Sequence, residues 1–452
     1  MHVLLFIFYG LLLGYAITRI PFFRKSGIKP VFLLLYFGLR VATGCLHNVV
    51  AYRYYPNHGD IWLYFTDSFT TRHELFTDLK LFWADNSTLA WLPHNLIECM
   101  HVVLNFLSFD NLYINTLFFS FFTLAGAIAL FRVFADRYPN DWLSACCVLL
   151  LPSTLFWTSC IHTEGIVYSI LGFFFFNLNK LLASDPPTGN QVTDPITGNP
   201  KPARRILICL FLFSGAVFFR PAIGIGLLPA TLCWILLAKG IPRRKLFLLL
   251  LAGLAAVIVG ALIIPGLFTP ILQQLSTRQK EFQLLTGNSR IYLPILEPTW
   301  SSVVNVLPTA LFNGFFQPLP GSGGQAIYGV FALELTLIWL IILGSLLSSL
   351  SGKAVPLSGK AVLPSAPISS GKSSLFIRSY FGLSCLLFSV LVMTLIGFII
   401  PFVGSIIRYR SICLPFLLAP FLHHLRHYRG LVTLNNWLQK KIQKSPDQKD
   451  FL

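Results

Sequence analysis

Asp60, His162, Glu164, Arg220 and Arg408 stand at the ends of long apolar runs, and they are the residue types that chemistry on a phosphate ester uses. Asp60 follows His58 and Gly59 shortly after the apolar run 30–50. A carboxylate placed there can take a proton from an attacking hydroxyl, or hold a divalent cation that polarises a phosphate. The stretch Asn57-His58-Gly59-Asp60 also reads as a turn ending in a helix-capping aspartate. Asp67 lies two helical turns further on and is a second catalytic candidate on the same face.

Between two apolar runs the chain reads Phe156-Trp157-Thr158-Ser159-Cys160-Ile161-His162-Thr163-Glu164-Gly165. So tight a turn needs no charge to fold, and placing Glu164 beside a span end costs solvation free energy. Glu164 is therefore a catalytic candidate and His162 a substrate-binding one. Together with Asp60 they are the residues that would ligate a divalent cation if the chemistry uses one. The plainer reading of Glu164 is a negative charge favoured at a helix N-terminus. Arg220, in Phe218-Phe219-Arg220-Pro221, and the pair Arg408-Tyr409-Arg410 supply guanidinium groups that can clamp a lipid phosphate or pyrophosphate bidentately. Arg278 and Arg290 extend this substrate-binding set. The plainer reading of Arg220, Arg408 and Arg410 is snorkelling to lipid head groups.

The elements that must position these residues are membrane spans. The 452 residues are 55% hydrophobic and 11% charged, with a mean hydropathy of +0.70. Such a composition defines an all-α polytopic membrane protein. Apolar runs near 3–18, 30–50, 112–133, 141–160, 165–183, 205–219, 221–238, 245–266, 327–350, 375–400 and 404–424 predict about eleven transmembrane helices. The first is expected to stay as an anchor, because no small-residue cleavage site follows it.

Basic residues mark alternate connections: Arg19 to Lys29, Arg132 and Arg137, Lys180 to Arg205, Lys239 to Lys245, Lys353 to Arg378, and the tail from Arg426. By the positive-inside bias these six are cytoplasmic, which puts the N-terminus and all the candidate residues on the other side. A multi-pass protein of a bacterial inner membrane, with a periplasmic working face, fits that arrangement. The net charge of +17 then reflects orientation and contact with anionic membrane lipids. Nucleic-acid binding is not expected, because the charge is scattered over short loops. The nine cysteines have no metal-type spacing and read as small packing groups.

A single transmembrane domain is expected over 1–424, with a basic cytoplasmic tail over 425–452. Two outer segments, 51–111 and 268–326, are long enough to fold locally. In the first, Asp60, Asp67, Glu74 and Asp78 share one face of a predicted amphipathic interfacial helix, and 96–109 predicts a second short interfacial or re-entrant helix. Residues 185–200 and 351–362 carry short Pro/Gly/Ser-rich repeats and read as linkers. Gly371-Lys372-Ser373 is no phosphate-binding loop, since position 366 is Ala and no strand precedes it. Arg40 and Glu334 lie within spans, where a mutual pair would relieve both charges.

Three elements together resemble the GT-C superfamily, polytopic glycosyltransferases that use polyprenyl-phosphate-linked sugars. They are Asp60 in His58-Gly59-Asp60-Ile61-Trp62 in the first outer loop, Leu151-Pro152-Ser153-Thr154 leading into His162-Thr163-Glu164, and Arg408-Tyr409-Arg410 with Pro415. The resemblance implies a bacterial enzyme with a GT-C-like fold. It implies inverting sugar transfer from a polyprenyl-phosphate donor to a glycan, lipid or protein acceptor on the non-cytoplasmic face, with Asp60 as base and the arginines stabilising the leaving lipid phosphate. No cofactor is required by this chemistry beyond a possible divalent cation. A polysaccharide polymerase or ligase working on lipid-linked glycans would use the same arginines and tolerate loss of Asp60. A flippase or transporter for lipid-linked glycans would instead show internal repeats and mid-membrane charge pairs.

Overall fold

The computed structural model describes residues 1–55, 59–86, 92–183, 202–264, 266, 268–287, 289–321, 326–350, 380–426 and 428–444. His58 and its turn, both repeat-bearing linkers and Gly371-Lys372-Ser373 lie outside these residues. Among them the chain forms α1 (His2–Arg19), α2 (Pro21–Arg24), α3 (Pro30–Tyr54), α4 (Gly59–Thr77), α5 (Leu79–Asn86), α6 (Leu92–Ser108), α7 (Leu112–Arg137), α8 (Trp142–Leu150), α9 (Pro152–Ser159) and α10 (Thr163–Ala183). There follow α11 (Pro202–Phe219), α12 (Pro221–Ala238), α13 (Arg243–Ile263), α14 (Thr269–Leu284), α15 (Trp300–Phe316), α16 (Ala326–Leu350), α17 (Tyr380–Ile399), α18 (Val403–Arg410), α19 (Leu414–Leu425) and α20 (Arg429–Ile442).

Eight of these helices, α1, α3, α7, α10, α11, α12, α16 and α17, are long and apolar enough to cross a membrane. At 1.5 Å per residue they reach roughly 27–39 Å, enough for the hydrocarbon layer. The chain is an all-α polytopic membrane protein. Two further spans are bent: α8 with α9 by 44°, and α18 with α19 by 61°, giving up to ten. The eleventh predicted span, 245–266, falls on α13, a 21-residue helix with several side chains outside the described set.

The sequence explains both bends. Pro152 opens α9 at its first turn, where its missing N–H costs nothing, while α8 ends at Leu150. Pro415 does the same for α19 after the break at 411–413. The opened backbone of α9 is capped by a buried acid: the Ser153 amide donates to both carboxylate oxygens of Glu334, at 3.2 and 3.1 Å. Arg40 is also fully buried, and it donates to Thr158 O at 2.6 Å, Thr123 Oγ1 at 2.8 Å, Tyr36 Oη at 3.2 Å and Thr158 Oγ1 at 3.3 Å. The expected Arg40–Glu334 pair is thus replaced by two separate solutions. Each charge finds polar partners on α9 or beside it, so neither needs the other.

The centre of the bundle is α7, most of whose residues are buried. It meets α10 closely where Gly126 faces Gly172; a Cβ on Gly172 would lie 2.0 Å from the Gly126 carbonyl oxygen. Small residues at such crossings let backbones pack without a hydrophobic driving force.

The two long loops are folded. In the first, α4 stops at Thr77 because Asp78 turns to cap α5, accepting from Lys80 N and Leu81 N at 3.0 and 3.1 Å. Asp78 therefore does not continue the acidic face predicted through Glu74. In α6 the buried face is mixed: Glu98, His101, Asn105 and Ser108 are buried beside Ile97, Val102 and Leu104, while Leu96, Val103, Phe106 and Leu107 are exposed. That arrangement suits a helix whose outer face meets lipid. In the second loop, α15 packs along α17 with Gly314 against Met393, and Trp339 of α16 donates to Phe315 O at 3.0 Å. It runs beside the spans instead of resting only on their ends.

Among the described residues three of the basic connections meet at one end. The Lys29 amide donates to Ile442 O at 2.9 Å, and Asn435 bonds both Leu143 N and Asn140 O. Because α3 leads from Lys29 to Tyr54, the segment carrying Asp60 lies at the opposite end.

Candidate functional site

Three chain reversals at that opposite end deliver the polar residues. Gly59 begins α4 with φ +71°, a left-handed conformation that a side chain would strain, and a Cβ there would lie 3.0 Å from the Tyr55 ring. Asp60 follows in the first turn of α4. The bend within α8–α9 directs the chain through Cys160 and Ile161 to His162, and α10 opens at once with Thr163 and Glu164. The break after α18 leaves Arg408 and Arg410 in its last turn.

Glu164 is fully buried and is the fixed centre of the site. Arg220, at the N-cap of α12, donates through Nη2 to Glu164 Oε1 at 2.5 Å. Arg408 Nε lies 3.0 Å from Glu164 Oε2, and His162 Nδ1 lies 3.0 Å from the same oxygen. From the other side Arg408 Nη1 donates to Asp60 Oδ2 at 2.7 Å, and His162 Nε2 stands 3.9 Å from that oxygen. Tyr409 braces both cations: its hydroxyl accepts from Arg220 Nη1 at 3.1 Å, and its ring lies 4.2 Å from the Arg220 guanidinium and 5.3 Å from that of Arg408.

Two carboxylates face two guanidinium groups, so the charges balance. Burial lowers the proton affinity of His162, and the Arg408 charge lowers it further against the opposing pull of Glu164. Burial acts to raise the Asp60 pKa, but Arg408 and then His162 outweigh it and hold the carboxyl at about 2. The Asp60 side chain is nevertheless 49% exposed, against 0% for Glu164. Asp60 is the partner that an incoming anion can displace, whereas Glu164 is locked. A cavity of about 400 Å³ opens beside this pair, lined among others by Asp60, Arg408, His162, His47, Tyr55 and Tyr328. Its size is in the range of small-ligand sites.

Four predicted site residues stand elsewhere. Arg410 is two positions from Arg408, roughly 200° around a helix, and points into the protein, where it donates to Gly314 O at 3.1 Å. Arg278 is exposed and pairs with Glu281 at 2.8 Å on α14. Arg290 donates to the backbone carbonyls of Gln283 and Leu285 and lies over the Phe402 ring, so it ties itself to the end of α14 beside the cavity. Asp67 shares a face with Asp60 but is carried past the arginines by two helical turns. It faces His94 and Glu98 of α6.

Asp60, His162 and Glu164, the set that would hold a cation if the chemistry uses one, do not stand as a metal-ligating group among the described residues. Arg408 stands between the two acids and supplies the positive charge itself. Among the described residues the group with metal-ligand geometry is Asp67, His94 and Glu98, within 4.8 Å of one another. His94 and Glu98 were missed, because the helix predicted over 96–109 starts in the structure at Leu92, which brings His94 onto the same face as Glu98. His47 was missed because it sits mid-span; it is buried, lines the cavity, and neither ring nitrogen has a hydrogen-bond partner among the described residues.

Comparison with protein-family models, with curated proteins and with solved structures finds no match to this chain.

Proposed function

We propose that this protein is a membrane glycosyltransferase that moves a sugar from a polyprenyl-phosphate donor to a glycan, lipid or protein acceptor. The reading places the reaction on the non-cytoplasmic face, periplasmic in a bacterial inner membrane. It is supported above all by one observation: Asp60 and Arg408, far apart in sequence, meet at 2.7 Å in the lining of a cavity that His162 also lines, with Glu164 buried behind them. The resemblance of the same residues to the GT-C superfamily points the same way.

Donor phosphate approaching the rim competes with Asp60 for Arg408. Once Arg408 turns to the phosphate, the charge that depresses the Asp60 pKa is neutralised, and the carboxylate becomes a stronger base. The acceptor hydroxyl then attacks the anomeric carbon while Asp60 takes its proton. The bond from that carbon to the phosphate oxygen breaks, its electron pair leaves with the lipid phosphate, and Arg408 stabilises the developing charge. Glu164 keeps both arginines aimed throughout. Membrane lipids surround the apolar helices, so the polyprenyl tail stays in the bilayer during transfer.

In vesicles supplied with polyprenyl-phosphate sugars, Asp60→Asn is expected to lower transfer by roughly 100-fold or more, the usual contribution of a positioned base. Donor binding should persist. Full activity in that variant would remove Asp60 as base and favour a polymerase or ligase that relies on Arg220 and Arg408. The transporter reading has less support, since Arg40 and Glu334 do not pair.

A further inference from the structure

Behind Tyr64, on the side away from Arg408, α4 and α6 bring together three side chains that the reaction above does not use. The spacing of His94 and Glu98 puts an imidazole and a carboxylate on one face of α6, one turn apart. Asp67 of α4 faces them, and one donor atom from each lies within 4.8 Å of the others. His94 Nε2 and Glu98 Oε1 are 2.6 Å apart. Two carboxylates on facing helices repel unless something positive lies between them. Burial and the Glu98 charge raise the Asp67 pKa while His94 lowers it, so the imidazole offsets only part of that repulsion. Arg72, the arginine of α4, does not relieve it, being committed to Asp110 at 2.7 Å.

We propose that Asp67, His94 and Glu98 bind one divalent transition-metal ion, which staples α6 to α4. One nitrogen and two oxygen donors suit zinc or manganese, whereas magnesium and calcium favour oxygen donors alone. Donors around a tetrahedral zinc lie about 3.4 Å apart at bond lengths of about 2.1 Å. Side-chain movements of about 1 Å would therefore close the present group on an ion. The supporting contacts are those that orient metal ligands elsewhere. Thr71 Oγ1 donates to the second oxygen of Glu98 at 2.9 Å, and the Tyr64 ring packs on His94 at 4.7 Å. Tyr64 also packs on His162, at 5.9 Å, so the ion sits one side chain behind the Arg408 centre and acts on helix placement. The proposal is independent of the reaction assigned to Asp60.

The full chain, purified in detergent without a polyhistidine tag, is stripped with chelator and then titrated with Zn²⁺ or Mn²⁺. The expected result is one ion retained per chain and a higher melting temperature. Affinity should fall at least ~10-fold in Asp67→Asn and by a comparable factor in Thr71→Val, which disturbs only the orienting contact. Asp67 accepts no hydrogen bond within the described residues, so its replacement by Asn should fold normally, and Arg408→Gln should bind the ion as the wild type does. Retention of no ion by the wild type would overturn the proposal. So would equal affinity in Asp67→Asn, or loss of the ion in Arg408→Gln with retention in Asp67→Asn.

Discussion

Replacing Glu164 by Gln tests whether the buried acid is the counter-ion that holds the site together. The change is nearly isosteric, so packing around α10 is kept while one negative charge is lost. Glu164 is 0% exposed and sits 2.5 Å from Arg220 and 3.0 Å from both Arg408 and His162. Removing one partner of a buried ion pair generally costs about 3–5 kcal/mol, because the remaining charge stays buried and uncompensated. Arg408 keeps Asp60, and Arg220 keeps the Tyr409 hydroxyl, so the lower figure applies. A loss of about 3 kcal/mol shifts the unfolding equilibrium by more than 100-fold, at about 1.4 kcal/mol per factor of ten. The Asp60–Arg408 contact is half exposed, and such pairs contribute under about 1 kcal/mol. Thermal and denaturant unfolding in detergent should therefore rank Glu164→Gln far below Asp60→Asn in stability. Inorganic phosphate or pyrophosphate should stabilise Glu164→Gln more than the wild type, by replacing the missing anion between the arginines. A Glu164→Gln protein as stable as the wild type would refute the counter-ion argument, as would a larger loss in Asp60→Asn.

Two further outcomes follow from the same geometry. Asp60 titrates at about 2 in the folded protein, below its ordinary value of 3.8, so its pairing stabilises the fold above that ordinary value. The advantage disappears as pH falls from about 4 towards 2, and being half exposed it stays under about 1 kcal/mol; the stability gap between wild type and Asp60→Asn, measured across that window, should close, and a gap that widens on acidification reverses the sign of the argument. Separately, Gly172→Val would put side-chain atoms where the Gly126 backbone now lies. The variant should lose folded protein in size-exclusion profiles, by an amount typical of overpacking, about 1–3 kcal/mol or more; an unchanged profile and melting curve would show that α7 and α10 do not pack as described.

The architecture was legible because lipid imposes a local rule. Each span must satisfy its own backbone hydrogen bonds and carry an apolar surface, so apolar runs become helices whatever the rest of the chain does. The helices α1, α3, α7, α10, α11, α12, α16 and α17 follow from that rule. The rule says nothing of direction: the runs 141–160 and 404–424 each predict one span, while Pro152 and the 411–413 break bend both. Helix α15 escaped for a related reason. It is apolar but only 17 residues long, and tertiary packing against α17 decides where it goes.

The candidate site divides along the same line. Charges near a membrane are costly, so the sequence alone singled out Asp60, His162, Glu164, Arg220 and Arg408 as residues with a purpose. It could not tell Arg408 from Arg410, since two residues with the same neighbours differ only in which way a bent helix turns them. Nor could it separate Asp67 from Asp60, which share a helix face but meet different partners. His94 and Glu98 gain meaning only from the α4 side chain opposite them, and His47 only from the cavity it lines. Residue type and membrane depth are properties of the chain; which side chains meet depends on helix rotation and bend, and these are fixed by contacts between segments hundreds of residues apart.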